Sequence, residues 1–197
     1  MINYIVFSLT ELLSHYPEDK LNKAFKEFSC CREADLENFL LNKAILYENN
    51  DFGKTHLLID EEELANGNFK ILAYFTIATG AIDISALSTK KRRRLLGNYP
   101  GRDKMKNFPA FLIGQLGRND NCDNSDISGE LLLKECFHSI SSASKLIGGR
   151  LVILECREPL YDKFYSKHGF MKLYDELSED GLYTLFLKID FREYWRS

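Results

Sequence analysis

Phe108-Pro-Ala-Phe-Leu-Ile-Gly-Gln115, Gly129-Glu-Leu-Leu-Leu-Lys-Glu-Cys-Phe-His-Ser-Ile140 running on to Ile147, and Arg150-Leu-Val-Ile-Leu-Glu155 are the segments that decide how this chain folds. The first is apolar almost throughout, as a strand covered on both faces is, and Pro109 falls at its start, where a missing N–H does least harm. The second changes period. Leu132, Leu133, Cys136, Phe137, Ile140, Ala143 and Ile147 recur at three- and four-residue steps, which is one face of a helix, and Gly148 and Gly149 stop it. The third is again a short run of large apolar residues. Strand, helix, strand in this order predicts a parallel pair joined by a right-handed crossover.

Working outward, Thr55 to Asp60 and Phe69 to Ala78 read as two strands of a hairpin, with a turn over Glu61 to Asn68. Ile2 to Ser8 reads as an opening strand followed by a helix starting at Thr10. Two helical stretches follow Pro17, the second from Arg32 to Asn50, where Leu36, Phe39, Leu40, Ala44, Ile45 and Tyr47 share a face. Residues 79–107 form an insertion with a short helix near Ser88 closed by Gly97. At the far end, Glu158 to Lys167 is a helix stopped by Gly169, and Phe170 to Tyr174 and Leu182 to Ile189 are the last strands. Over residues 1–197 this predicts one α/β domain: a mixed, mostly antiparallel twisted sheet with one parallel pair, flanked by helices. No internal repeat or low-complexity linker interrupts it.

Composition agrees with an ordered chain, since 45% of residues are hydrophobic and 28% charged, far from the polar corner where disorder lies. No apolar run approaches the roughly 18 residues of a membrane span, and Ile2 to Leu9 lacks a basic flank. Cys30, Cys31, Cys122, Cys136 and Cys156 form no CxxC pair and are odd in number, which predicts free thiols in a reducing cytoplasm. His15, His56, His138 and His168 have no partner at zinc-ligand spacing, so no metal is expected. Charge is uneven. Lys90 to Lys106 holds eight bases and one acid, net +7, which leaves −10 for the rest of a chain whose total is −3.

Three segments together resemble the GNAT N-acetyltransferase family, and more narrowly its bacterial toxin-type branch: Phe28-Ser-Cys-Cys with Leu36-Glu-Asn-Phe-Leu40, Ile71-Leu-Ala-Tyr-Phe-Thr76, and Lys163-Phe-Tyr-Ser-Lys-His-Gly-Phe170, which is similar to the FYxxxGF end of the fourth GNAT helix. The resemblance spans about Phe28 to Tyr174. It implies acetyl transfer from acetyl-CoA to an amine, with Tyr165 as the general acid that protonates the departing thiolate. A tyrosine of ordinary pKa near 10 can donate that proton at neutral pH. The competing reading of Phe164, Tyr165 and Phe170 is plain packing of a helix on the sheet. The family's CoA signature, Arg or Gln followed by xxGxG or xxGxA, is eroded here to Asn124-Ser-Asp-Ile-Ser-Gly129, with Ile127 in the place of the first glycine. Residues 118–130 also carry one base against Asp120, Asp123, Asp126 and Glu130, which opposes an anionic ligand unless those acids turn away.

The candidate CoA-binding residues are Gln115, Leu116 and Gly117 at the end of the central strand, bracketed by Gly114, and Asn124, Ser128, Gly129 and Glu130 at the following helix start, where backbone N–H groups hold phosphates. Ser125, Asp126 and Ser128 have a capping role as their alternative. Glu155 ends a parallel strand, the place where α/β sheets put ligands, and is a candidate base for the acceptor amine. Cys156 beside it reads as a small buried hydrophobe rather than a nucleophile. Lys90, Lys91, Arg92, Arg93 and Arg94 read either as a solvated helix face or as an RNA patch supplying sequence-independent phosphate affinity. The toxin-type branch acetylates the amino acid on charged tRNA, so the resemblance implies tRNA as acceptor, an antitoxin partner and a homodimer. A protein amine, a small amine, or a GNAT-fold binding module with a spent CoA site are the alternatives. No GxGxxG or GxxxxGK[ST] segment supports a nucleotide-binding fold.

Overall fold

The computed structural model describes residues 2–123 and 125–191. In chain order the elements are β1 (Tyr4–Ser8), α1 (Leu9–His15), α2 (Glu18–Lys26), α3 (Ala34–Asn42), α4 (Ala44–Asn49), β2 (Lys54–Asp60), α5 (Glu61–Ala65), β3 (Ile71–Asp83), α6 (Thr89–Leu96), β4 (Asn107–Arg118), α7 (Gly129–Ile147), β5 (Leu151–Arg157), α8 (Glu158–Lys163), β6 (Met171–Lys172) and β7 (Leu182–Lys188). Short 3-10 turns cover Arg102–Lys104 and Tyr165–His168. The seven strands form one sheet in the order β1-β2-β3-β4-β5-β7-β6. β1 with β2, β2 with β3, β5 with β7 and β6 with β7 run antiparallel. β4 and β5 run parallel, Phe111 opposite Val152 and Leu112 opposite Ile153. The parallel pair and the hairpin are as the sequence predicts.

Several boundaries differ, each for a local reason. Ser8, not Thr10, starts α1: its hydroxyl accepts the Glu11 N–H at 3.2 Å while the Glu11 carboxylate accepts the Ser8 N–H at 2.9 Å, a reciprocal cap. The helical stretch after Arg32 breaks in two at Lys43, whose backbone (φ −126°, ψ −28°) leaves the helical well. The turn after β2 holds one helical turn, α5, because Asp60 accepts the N–H groups of Glu62 and Glu63. Phe170 to Tyr174 pairs over Met171 and Lys172 only. Ile147 does not share the buried face of α7. It is 67% exposed, and Leu146 is 88% exposed, because the helix ends there at two left-handed glycines, Gly148 (φ +74°) and Gly149 (φ +111°).

The contacts divide the chain into two compact units. The first, residues 1–78 and 113–140, packs Leu9, Leu12, Leu21, Phe25, Phe28, Phe39, Leu40 and Tyr74 into one core. Tyr74 is fully buried, yet its hydroxyl donates to the Leu36 carbonyl at 2.7 Å, as a buried phenol must. Glu48 is buried too, and is held by the Thr10 hydroxyl (2.5 Å), the Thr55 N–H (2.9 Å) and the Lys54 ammonium (3.4 Å). That set supplies the partners without which a buried carboxylate would cost several kcal/mol. The second unit, residues 79–112 and 141–197, gathers Ile82, Leu95, Leu96, Phe108, Leu151, Ile153, Leu173 and Phe186. Among the described residues no helix is long and apolar enough to cross a membrane.

Candidate active site

In the first unit β4 ends on Gln115 and Leu116, both half-buried, and the buried Gly117. The two bracketing glycines have different causes. A Cβ on Gly117 would stand 2.7 Å from the Leu36 Cδ1, so packing requires that glycine, whereas a Cβ on the exposed Gly114 would meet nothing nearer than the Thr76 carbonyl at 3.9 Å. Beyond Arg118 the chain turns through Asp123, whose carbonyl accepts the N–H groups of Asp126 and Ile127. Ile127, in the place of the signature's first glycine, is fully buried. Ser128 caps α7: its hydroxyl accepts the Leu131 N–H at 3.1 Å and its carbonyl the Leu132 N–H at 3.1 Å. That commits the Ser128 side chain to capping. Gly129 and Glu130 then open a 19-residue helix, whose first N–H groups have no intrahelical partner and carry the positive end of its dipole. Asn124 lies outside the described residues.

The charge of this loop is smaller than its acid count. Asp120 is turned away, its carboxylate accepting the Cys31 N–H at 2.6 Å and its own N–H donating to the Ser29 carbonyl. Arg118 brings a guanidinium under the loop, donating to the Ile127 carbonyl at 3.2 Å. This bond joins the strand end to the helix start. Helix-start N–H groups without intrahelical partners, a cation and a reoriented acid fit an anionic pyrophosphate at Gly129 and Glu130, with Asp123 and Asp126 left to oppose it.

Gly114→Ala and Gly117→Ala therefore separate ligand approach from packing. Gly117→Ala is expected to cost about 1–2 kcal/mol by overpacking against Leu36, read as a lower melting temperature. Gly114→Ala should melt no lower than the parent while weakening acetyl-CoA binding in titration calorimetry.

In the second unit Glu155 is exposed, paired in register with Thr184, whose hydroxyl donates to it at 3.4 Å. It lines a cavity of about 340 Å3 whose walls also include Leu112, Ile153, Asp83 and Tyr174. Asp83 and Tyr174 carry no motif, and their separation by 91 positions hid their proximity. The Tyr174 hydroxyl donates to the Asp83 carbonyl at 2.5 Å, and the Asp83 carboxylate accepts the Ser85 N–H at 2.7 Å. Hydrogen bonding from Ser85 holds that carboxyl below its usual range. Tyr165 does not line this cavity. It is 5% exposed, ringed edge-on by Phe164 (5.0 Å) and Phe170 (5.4 Å) on the 3-10 turn that Gly169 closes in the left-handed region (φ +82°). Cys156 is buried, and burial pushes its thiol up to about 11, which suits a packing residue and not a nucleophile. A hollow of about 370 Å3 in the first unit, lined by Lys20, Lys23, Lys70, Glu27 and Glu63, mixes both signs of charge.

The basic helix α6 is not uniformly free. Ser88 caps it, accepting the Lys91 N–H at 3.3 Å, and Gly97 closes it (φ +62°). Arg92 is a structural pin: its guanidinium donates to the carbonyls of Leu87 (3.2 Å), Ser85 (2.8 Å), Asp103 (3.2 Å) and Met105 (3.1 Å). This corrects its place in the phosphate patch, because a cation spent on four carbonyls has few donors left. Arg102 and Arg150 bond the carbonyls of Gly97 and Leu96 at the helix end, where cations complement the dipole. Lys91 pairs with Asp175 at 2.8 Å. Lys90, Arg93 and Arg94 are exposed. Arg92→Gln is expected to destabilise the second unit by about 2–3 kcal/mol, the cost of orphaned carbonyls and lost charge-assisted bonds, measured by urea denaturation. Lys90→Gln should change stability by less than about 0.5 kcal/mol.

A seven-stranded, mostly antiparallel sheet with one parallel pair, flanked by helices, is the GNAT fold, and solved structures share it. The chain superposes on AtaT complexed with acetyl-methionyl-tRNAfMet (TM-score 0.70, 20% identity, 99% of this chain and 100% of that one). It is similar to a tyrosine-to-phenylalanine mutant of KacT (0.70, 19%, 98% of each) and to AtaTR bound with AcCoA (0.69, 19%, 99% of each). No family model and no curated protein matches the chain.

Proposed function

We propose that residues 1–197 act as one toxin-type N-acetyltransferase domain, which uses acetyl-CoA to acetylate the amino group of an aminoacyl-tRNA. The observation that carries this reading is the fold shared over nearly the whole chain with AtaT, solved with acetyl-methionyl-tRNAfMet. When bound, acetyl-CoA supplies an acetyl group activated as a thioester. The backbone N–H groups of Gly129 and Glu130, with Arg118 behind them, hold the pyrophosphate, and the end of β4 at Gln115 to Gly117 offers backbone groups to the pantetheine arm. The acceptor nitrogen forms its bond to the acetyl carbon as the C–S bond breaks. Glu155 takes the surplus proton from nitrogen, and Tyr165 gives one to the sulfur. Lys90, Arg93 and Arg94 meet RNA phosphates. An antitoxin partner, as seen for AtaT with the C-terminus of AtaR, and a cytoplasmic location belong to the same reading.

Incubation with acetyl-CoA and total charged tRNA tests it: mass spectrometry of the released amino acids is expected to show an N-acetyl derivative. A pool left unmodified while acetyl-CoA binds would move the acceptor to a protein or small amine. The buried Ile127 in the signature favours a second reading, a binding module that no longer turns over acetyl-CoA. Absence of heat at millimolar acetyl-CoA in calorimetry would establish that one instead.

A further inference from the structure

Within the first unit, the turn that leaves β4 is fastened to the loop between α2 and α3. Asn119 is buried. Its side-chain amide donates to the Ile71 carbonyl at 2.8 Å, and its side-chain oxygen accepts the N–H groups of Asn121 at 3.0 Å and Ser29 at 3.4 Å. Beside it the Ser29 carbonyl accepts the Asp120 N–H at 2.7 Å, and the Asp120 carboxylate accepts the Cys31 N–H at 2.6 Å. Ser29 to Cys31 is the fixed side of this joint. The Glu37 carboxylate accepts the Cys30 N–H at 2.6 Å, and the buried Phe28 packs edge-on against the Tyr74 ring at 5.2 Å. On the other side the turn returns on itself: the Cys122 N–H donates to the Asn119 carbonyl at 3.0 Å and the Ile127 N–H to the Asp123 carbonyl at 3.2 Å. Two residues after Ile127, Gly129 opens α7.

We propose that Asp120 is a positioning residue: bonded to the Ser29–Cys31 loop, it holds the turn before α7 in the form whose Gly129 and Glu130 N–H groups take an anion, the pyrophosphate of acetyl-CoA. This rests on the acetyl-transfer reading and accounts for an anion site with Ile127 where the signature has its first glycine. A glycine-rich loop takes its shape from backbone freedom. Ile127 is fully buried and lacks that freedom, so the shape is imposed by bonds from outside the turn. The bond from the Asp120 carboxylate to the Cys31 N–H joins a charged side chain to backbone, and charge-assisted bonds are the strong ones. The sign of its effect is diagnostic. Acting only through space, an acid near an anion site repels the ligand, and its removal tightens binding. Acting through the turn, the same acid strengthens binding, and its removal weakens it.

The test compares the full chain with Asp120→Ala and Asp120→Asn by titration calorimetry, using acetyl-CoA and S-acetylpantetheine, which has no pyrophosphate. Asp120 is exposed, so both variants are expected to fold. Asp120→Ala should bind acetyl-CoA about 10-fold more weakly than the parent, a loss on the scale of one charge-assisted hydrogen bond. Asp120→Asn keeps an oxygen that can accept the Cys31 N–H and sheds the charge, so it should bind at least as tightly as the parent. S-acetylpantetheine should not distinguish the three proteins. Asp120→Ala binding acetyl-CoA as tightly as the parent, or as tightly as Asp120→Asn, would overturn the proposal, and so would an equal loss for S-acetylpantetheine. Amide hydrogen exchange of the unliganded chain separates this proposal from the transferase reading. Faster exchange at Cys31, Cys122 and Ile127 in Asp120→Ala, reversed in Asp120→Asn, is expected whether or not acetyl-CoA binds. A parent that gives no heat with acetyl-CoA therefore sinks the transferase and leaves the joint standing on its exchange pattern. Unchanged exchange at Ile127 sinks the joint and leaves the transferase standing on its acetyl-CoA binding.

Discussion

Tyr165→Phe is expected to lower kcat for acetyl transfer by roughly 10²- to 10⁴-fold, the usual loss when a general acid is removed, with acetyl-CoA affinity unchanged. The substitution deletes one oxygen and keeps the ring, and the ring is what packs against Phe164 and Phe170. A lost buried hydrogen bond costs about 1 kcal/mol, or about 2–4 °C of melting temperature in a chain of this size. Stopped-flow turnover and a thermal melt on the same preparation therefore give opposite patterns for the two roles of this residue. A general acid shows a collapse in kcat with a nearly unmoved melt. A packing residue shows kcat preserved and the melt lowered, and that outcome would retire Tyr165 from catalysis.

Replacing Lys90, Arg93 and Arg94 together with Gln should weaken tRNA binding about 10³-fold at 50 mM salt. Each phosphate neutralised contributes about 0.7 to 0.9 to the slope of log K against log salt, so three contacts remove a slope of about 2 to 2.7, equivalent to roughly tenfold per contact at that concentration. Arg92 is left untouched because it pins the insertion through four carbonyls, and its loss would confuse a binding defect with a folding one. The loss should be the same for any tRNA and should shrink as salt rises, with acetyl-CoA binding untouched. Filter binding across a salt series reads both quantities. A parent protein whose affinity for tRNA does not change with salt would remove RNA from the list of acceptors.

Much of the fold is legible from local pattern. Residues 108–155 announce strand, helix and strand by a change of period, and the parallel pairing of Phe111 with Val152 follows from the crossover. Ser88 and Gly97 bound α6 as their types require. The break at Lys43 and the exposed end of α7 are not legible, because the apolar spacing runs on through both. The catalytic candidates divide in the same way. Tyr165 and Glu155 stand out from a motif and a strand end, whereas Asp83 and Tyr174, which line the same cavity as Glu155, belong to no motif. The eroded signature reads as a strongly acidic loop in sequence, yet Asp120 bonds the Cys31 N–H across 89 residues and Arg118 turns under the Ile127 carbonyl.

The amino-acid sequence alone determined the element order, the mixed sheet with its single parallel pair, the uneven charge and the position of the tyrosine. All of these follow from residue type and spacing within a few turns of chain. Only the tertiary structure decided which charges are available: that Arg92 serves carbonyls, that Asp120 faces Cys31, and that Lys91 is held by Asp175. Hydrogen bonds and ion pairs act over about 3 Å, and Asp120 reaches Cys31 across 89 positions and Lys91 reaches Asp175 across 84, so their partners are set by strand register and packing, and no local pattern records them.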